Sequence, residues 1–137
     1  MMEKSFYTGK GVGVCILDTG IYEHIDFAGR IWAFYDFLSF KRRPYDDNGH
    51  GTHVAGLAAG DGTASMGKYR GAAPGCGIIA LKVLDRYGNG SQEDVLRAIR
   101  WIREYRQQGY SQEEAVELAE QWVARPGTSE HQLGLAV

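Results

Sequence analysis

Apolar residues along this chain gather in short runs separated by turn chemistry. Residues 11–17 read GVGVCIL and stop at Asp18-Thr19-Gly20. Continuous apolarity over so short a span predicts a parallel strand buried on both faces. Residues 31–40, IWAFYDFLSF, predict a second strand rich in aromatics, and residues 42–49 a loop carrying Pro44 and Asp46-Asp47-Asn48-Gly49. Residues 50–60, HGTHVAGLAAG, read as a helix of small residues. Gly56 weakens such a helix by about 1 kcal/mol relative to alanine, which implies very close packing against a neighbour. After the glycine-rich stretch 61–75, residues 78–84 (IIALKVL) predict another buried strand, broken by Tyr87-Gly88-Asn89-Gly90.

The last third is helical in pattern. Ser91 with Asp94 resembles a capping box, and Val95, Ile99, Ile102 and Tyr105 follow helical spacing up to Gly109. A second helix starts at Ser111 with Glu114 and stops at Arg125-Pro126-Gly127. Strand and helix alternate through most of this order, so the predicted fold class is α/β with a largely parallel sheet flanked by helices. A length of 137 residues suits one domain and one core.

Composition narrows the partners. Hydrophobic residues make up 44% and charged residues 23%, an ordinary balance for a globular protein. A formal net charge of −2 gives no reason to expect nucleic acid or an anionic membrane. Lys41-Arg42-Arg43 is a short basic cluster that reads as a solvated loop. No apolar run is long enough to span a bilayer, and the first ten residues lack the apolar core of a secretory signal, so the chain reads as cytoplasmic. Cys15 and Cys76 are too few for a disulfide framework and are read as free buried thiols.

Three places could carry chemistry. Asp18 follows a buried strand, and ligands in open α/β sheets bind outside the carboxyl ends of strands. A carboxylate there can orient a histidine, although Asp-Thr-Gly is also plain turn chemistry. His50 opens the small-residue helix, where it is either a general base or a satisfied structural histidine. His53 lies close to the same face. With His50, Asp46 and Asp47 it could form a metal cluster, but the spacing lacks the glutamate of HExxH sites, and His53 reads as a packing and hydrogen-bonding residue. Gly88-Asn89-Gly90 is either an ordinary strand-to-helix turn or an exposed backbone able to pair with an extended peptide.

Together these segments resemble the subtilases, the subtilisin-like serine proteases of peptidase family S8. VGVCILDTGI at 12–21 is similar to the segment carrying the family's catalytic aspartate, and DDNGHGTHVAG at 46–56 to its histidine segment. The resemblance implies that Asp18 and His50 are the orienting carboxylate and general base of an Asp-His-Ser triad. RGAAPGCGIIALKVLDRYGNGS at 70–91 resembles the strand, loop and helix that follow, which implies that Gly88, Asn89 and Gly90 border bound substrate. The likeness covers residues 5–106, the N-terminal half of a subtilisin-like domain, and the opening Tyr7-Thr8-Gly9-Lys10-Gly11 is similar to intracellular bacterial members. Residues 107–137 then diverge as a helical tail.

The divergence carries a consequence. Gly109-Tyr110 is too short for the strand the family places there, and neither Asn48 nor Asn89 occupies the place of the oxyanion-hole asparagine. Gly127-Thr128-Ser129 spells GTS, but Glu130-His131-Gln132 follow without the family's Met-Ala-x-Pro continuation. The expectation is a serine endopeptidase by family, acting on peptide or protein substrates, with this chain inactive alone. The alternative is a non-catalytic peptide-binding module on the same scaffold. The resemblance requires no cofactor for catalysis and leaves a structural calcium open, with Asp46 and Asp47 as acidic candidates. Half of a parallel sheet would expose an edge, so self-association or a separately supplied C-terminal half is expected.

Overall fold

A computed structural model describes residues 7–108. The helix expected from Ser111, the tail and Ser129 lie outside the described residues. Among those described, three strands and two α-helices alternate: β1 (Gly13–Asp18), β2 (Ile31–Asp36), α1 (His50–Ala59), β3 (Gly77–Lys82) and α2 (Gln92–Gln107). Single 3-10 turns occupy Ile25–Phe27 and Thr63–Ser65. The sheet order is β1-β3-β2, and both pairings are parallel, as the apolar runs predict. None of the described helices is long and apolar enough to cross a membrane.

The sheet is covered on both faces. Cys15, Leu17, Ile79 and Leu81 point to one side, where Val95, Ala98, Ile99 and Ile102 of α2 close over them. Ile16, Ile78, Ala80 and Phe34 point to the other, against Ala55 and Ala59 of α1. The central strand β3 is buried at every position, which is why its sequence carries no alternation. Each large apolar side chain buried here contributes about 1.5–3 kcal/mol. In β2 a register irregularity between Ile31 and Ala33 coincides with Trp32, which packs with Ala33 against the α2-side cluster. That ring lies across two glycines: a Cβ at Gly77 would fall 1.9 Å from it, and one at Gly13 2.6 Å.

Strand ends differ from the sequence expectation for local reasons. β1 begins at Gly13, because Gly9 and Gly11 adopt positive φ and Val12 N–H bonds Gly9 O at 2.9 Å in a turn. The second strand was expected to run to residue 40 but stops at Asp36. The Asp36 carboxylate accepts Leu38 N–H at 2.8 Å and Ser39 N–H at 3.0 Å, folding the chain into an Asx-type turn. The third strand ends at Lys82 rather than residue 84. The amides of Val83 and Leu84 both donate to Asp18 O, at 3.0 and 3.1 Å, and leave the ladder. As a result Asp18, Lys82 and Asp36 are register partners in one row at the carboxyl end of the sheet. All three are buried.

Candidate active site

Asp18 is the last residue of β1 rather than a residue beyond it, and is 1% exposed. One carboxylate oxygen accepts Thr19 N–H at 2.7 Å. Both oxygens face Nδ1 of His50, at 2.9 and 3.0 Å. Ring geometry then turns the other ring nitrogen, Nε2, away from the carboxylate. The His50 side chain keeps 41% of its exposure, so the pair joins a buried acid to an accessible imidazole.

The start of α1 explains how the ring is held. The first amides of a helix have no partner within it. Here His50 N–H donates to Asn48 Oδ1 at 2.9 Å, Gly51 N–H to Thr19 Oγ1 at 2.8 Å and Thr52 N–H to Asp46 Oδ2 at 2.9 Å. All three partners come from the two segments that must meet, the end of β1 and the loop before the helix. The approach is close: a Cβ at Gly51 would lie 2.2 Å from Gly20 O. Gly20 itself sits at φ 124°, where a Cβ would be 2.1 Å from Tyr45 O. The close packing expected of this helix is also present near Gly56, where a Cβ at Gly71 would lie 2.6 Å from Gly56 O, although a Cβ at Gly56 itself would meet nothing within 4 Å.

Asp46 is the anchor the sequence reading missed. Its carboxylate accepts the Thr19 hydroxyl at 2.8 Å, Asn48 N–H at 3.1 Å, Gly49 N–H at 2.8 Å, and both the amide and hydroxyl of Thr52. Burial pushes its pKa up, but the bonds from Thr52, Gly49 and Thr19 outweigh that and hold it down at about 2. Asp-Asp-Asn-Gly signals a turn in sequence. Only the hydroxyls of Thr52, six residues on, and of Thr19, 27 residues back, reveal a fastening point.

Asp47 turns the other way and meets Lys82 at 2.8 Å. Both Asp46 oxygens and Oδ1 of Asp47 are therefore engaged. Among the described residues no group of three or more His, Cys, Asp or Glu side chains is placed to share an ion. His50, His53, Asp46 and Asp47 are therefore not gathered into a metal cluster. His53 is exposed on α1 rather than packed, a correction to its expected role. Nearby, the Tyr45 hydroxyl donates to Asp36 Oδ2. Burial first, then that bond and the Asp36 charge, push the Tyr45 pKa above the usual phenol range.

Gly88-Asn89-Gly90 forms a tight turn beyond β3. Gly88 takes φ 86°, Asp85 N–H bonds Asn89 O at 2.8 Å, and Asn89 N–H bonds Asp85 Oδ1 at 3.0 Å. Asn89 and Gly90 are exposed. The turn is tied to the histidine loop by Asn48, whose side-chain amide donates to Arg86 O at 2.8 Å. The three described serines have other places. Ser65 bonds Gly62 O, Ser91 caps α2, and Ser39 lies by Tyr45. Both cysteines are buried and free, and burial raises the Cys15 pKa to about 12.

Fold and site thus define a parallel α/β scaffold with a hydrogen-bonded aspartate–histidine pair at its strand ends. The chain belongs to the subtilase family, Peptidase S8, whose model matches residues 9–113. It is 50% identical over 98 residues to serine protease AprX of Bacillus subtilis strain 168, covering 72% of this chain and 22% of that protein. Thermitase of Thermoactinomyces vulgaris is 40% identical over 92 residues, 66% of this chain and 33% of the relative. Among solved structures, sphericase matches with a TM-score of 0.64 and 34% identity, over 74% of this chain and 34% of that one. A cold-adapted subtilisin-like serine proteinase matches with a TM-score of 0.63 and 30% identity, over 84% and 43%. The chain spans less than half the length of each of these relatives. By homology it is a member of the subtilisin-like serine proteases.

Proposed function

We propose that this chain is part of the catalytic domain of a subtilisin-like serine endopeptidase, with His50 as general base and Asp18 as the carboxylate that orients it. The observation that carries this reading is the buried Asp18 carboxylate facing His50 Nδ1 at 2.9 and 3.0 Å. With Nδ1 committed to Asp18, Nε2 is left to take the proton of an attacking serine hydroxyl and return it to the leaving amine. Asp18 stabilises the imidazolium formed between those two steps. Gly88, Asn89 and Gly90 serve as the edge along which an extended peptide or protein substrate lies, a role supported by the exposure of Asn89 and Gly90 and by the turn's tie to the histidine loop through Asn48.

Acyl transfer needs a nucleophile and an oxyanion hole besides a base. The three described serines are engaged away from His50, and Ser129 lacks the family's surrounding residues. This reading therefore expects no nucleophile among the described residues and no activity of the 137-residue chain by itself. Active-site titration with a fluorophosphonate probe tests this: no labelling is expected, and stoichiometric labelling of Ser129 would overturn it.

A further inference from the structure

Another ionised side chain is buried in the same corner as the pair. Lys82, the last residue of β3, is 2% exposed. An ammonium has three donors and no acceptor. Lys82 Nζ lies 2.8 Å from each of three acceptors: Thr19 O, Leu84 O and Asp47 Oδ1. Burying such a charge is tolerated only with pairing and full hydrogen bonding. Yet a buried ion pair is often replaceable by apolar groups with no loss of stability, so stability alone does not account for a lysine here.

Its three acceptors suggest what does. Thr19 O belongs to the residue directly after Asp18. Asp47 lies in the loop that leads into His50. Leu84 O lies at the entry to the turn holding Gly88, Asn89 and Gly90, and Leu84 pairs with Gly90. One nitrogen thus joins the end of β1, the histidine loop and the outlet of β3. Lys82 is also the register partner of Asp18, so both side chains leave the sheet on the face covered by α1. Its ammonium lies 5.3 Å from the centroid of the Tyr45 ring, which stands beside Asp46 in the same loop.

We propose that Lys82 is a positioning residue for the Asp18–His50 pair: it fixes the strand end that carries the acid against the loop that delivers the base. The proposal rests on the reading of that pair given above. Lys82 acts through Thr19 and Asp47 and touches no reacting atom.

The test reads the His50 ring directly, by two-dimensional proton–nitrogen NMR of the labelled 137-residue chain. In the parent chain His50 is expected to show one tautomer, protonated at Nδ1, with that proton far downfield and slow to exchange. In Lys82→Met this signal is lost while the resonances of His24 and His53 and a cooperative melt persist. Asp47→Ala removes only the loop's tie, at a side chain that is 43% exposed, and is expected to weaken the signal without unfolding the chain. A folded Lys82→Met variant with the His50 signal intact overturns the proposal. Should that variant fail to fold, an unchanged signal in Asp47→Ala overturns it and a weakened one supports it. Asp18→Asn separates the two readings. If it leaves the His50 signal unchanged, the pair itself is wrong. If it abolishes the signal while the Lys82 and Asp47 variants do not, only the Lys82 assignment fails.

Discussion

Thr19 donates its hydroxyl proton to the carboxylate of Asp46, 2.8 Å away, and this bond joins the end of the strand carrying Asp18 to the loop carrying His50. The same hydroxyl oxygen accepts Gly51 N–H at 2.8 Å. Thr19 is fully buried, so nothing from solvent replaces these bonds when they are lost. Thr19→Val keeps the shape and removes both. A buried amide left unpaired costs about 1–3 kcal/mol. Equilibrium urea unfolding is expected to show a loss in that range with an unchanged slope, because the native surface is preserved.

Asp46 makes the same junction sensitive to acid. Its folded pKa is about 2, against an ordinary 3.8. A depressed carboxylate pKa contributes stability that is fully present above the unfolded value and fades as pH falls through the folded one. The window is therefore roughly pH 4 down to pH 2. The shift corresponds to about 2.4 kcal/mol at most, and partial exposure of the carboxylate reduces this to about 1 kcal/mol. Stability of the parent chain minus that of Asp46→Asn, followed by urea melts from pH 6 to pH 2, should be level above pH 4 and shrink below it. A difference that stays flat to pH 2 contradicts the assignment.

The two cysteines give a prediction about access. Cys15 is 1% exposed and Cys76 is fully buried, and burial raises both thiol pKa values, Cys15 to about 12. The thiolate is the reactive form, so both burial and ionisation oppose modification. Reaction with a disulfide reagent at pH 8 is expected to be negligible in the native chain and complete for both thiols in denaturant. Labelling of Cys15, sandwiched between the sheet and α2, should follow global unfolding. Rapid native labelling of Cys15 would contradict its place in the core.

Some of this was legible in the sequence and some was not, for physical reasons. The apolar runs at β1 and β3 announce themselves because a strand buried on both faces admits few polar residues. Asp18 and His50 were legible through the segments around them, each residue alone being open to a bland reading. The fastening role of Asp46 was not, since Thr19 lies 27 residues away and a hydroxyl–carboxylate bond leaves no periodic trace. Lys82 reads as one polar interruption in IIALKVL, although its charge is matched by a carboxylate 35 positions earlier. The end of β2 was misplaced because Asp36 uses its side chain to start a turn, which competes locally with strand hydrogen bonding. Trp32 was counted as one more strand aromatic, and its stacking over Gly13 and Gly77 depends on strands that come together only in the sheet.

Gly51 and Gly56 stand five positions apart on α1 and should respond oppositely to the same change. A methyl group at Gly51 would lie 2.2 Å from Gly20 O and 3.1 Å from Thr19 N, both backbone atoms that cannot swing aside. Gly51→Ala must push the helix start away from the end of β1, and overpacking of this kind costs about 1–3 kcal/mol. The displacement falls on the junction that sets the 2.9 Å contact between Asp18 and His50, so the downfield His50 proton should be lost along with stability. At Gly56 a methyl group meets no atom within 4 Å, and the residue lies within the helix. Gly56→Ala should stabilise the chain by about 0.5–1 kcal/mol, from helix propensity and a less flexible unfolded state, and leave the His50 signal untouched. Urea melts and proton–nitrogen spectra of the two variants check this together. Equal destabilisation by both would show that small residues are required along the whole helix rather than at the junction with Gly20.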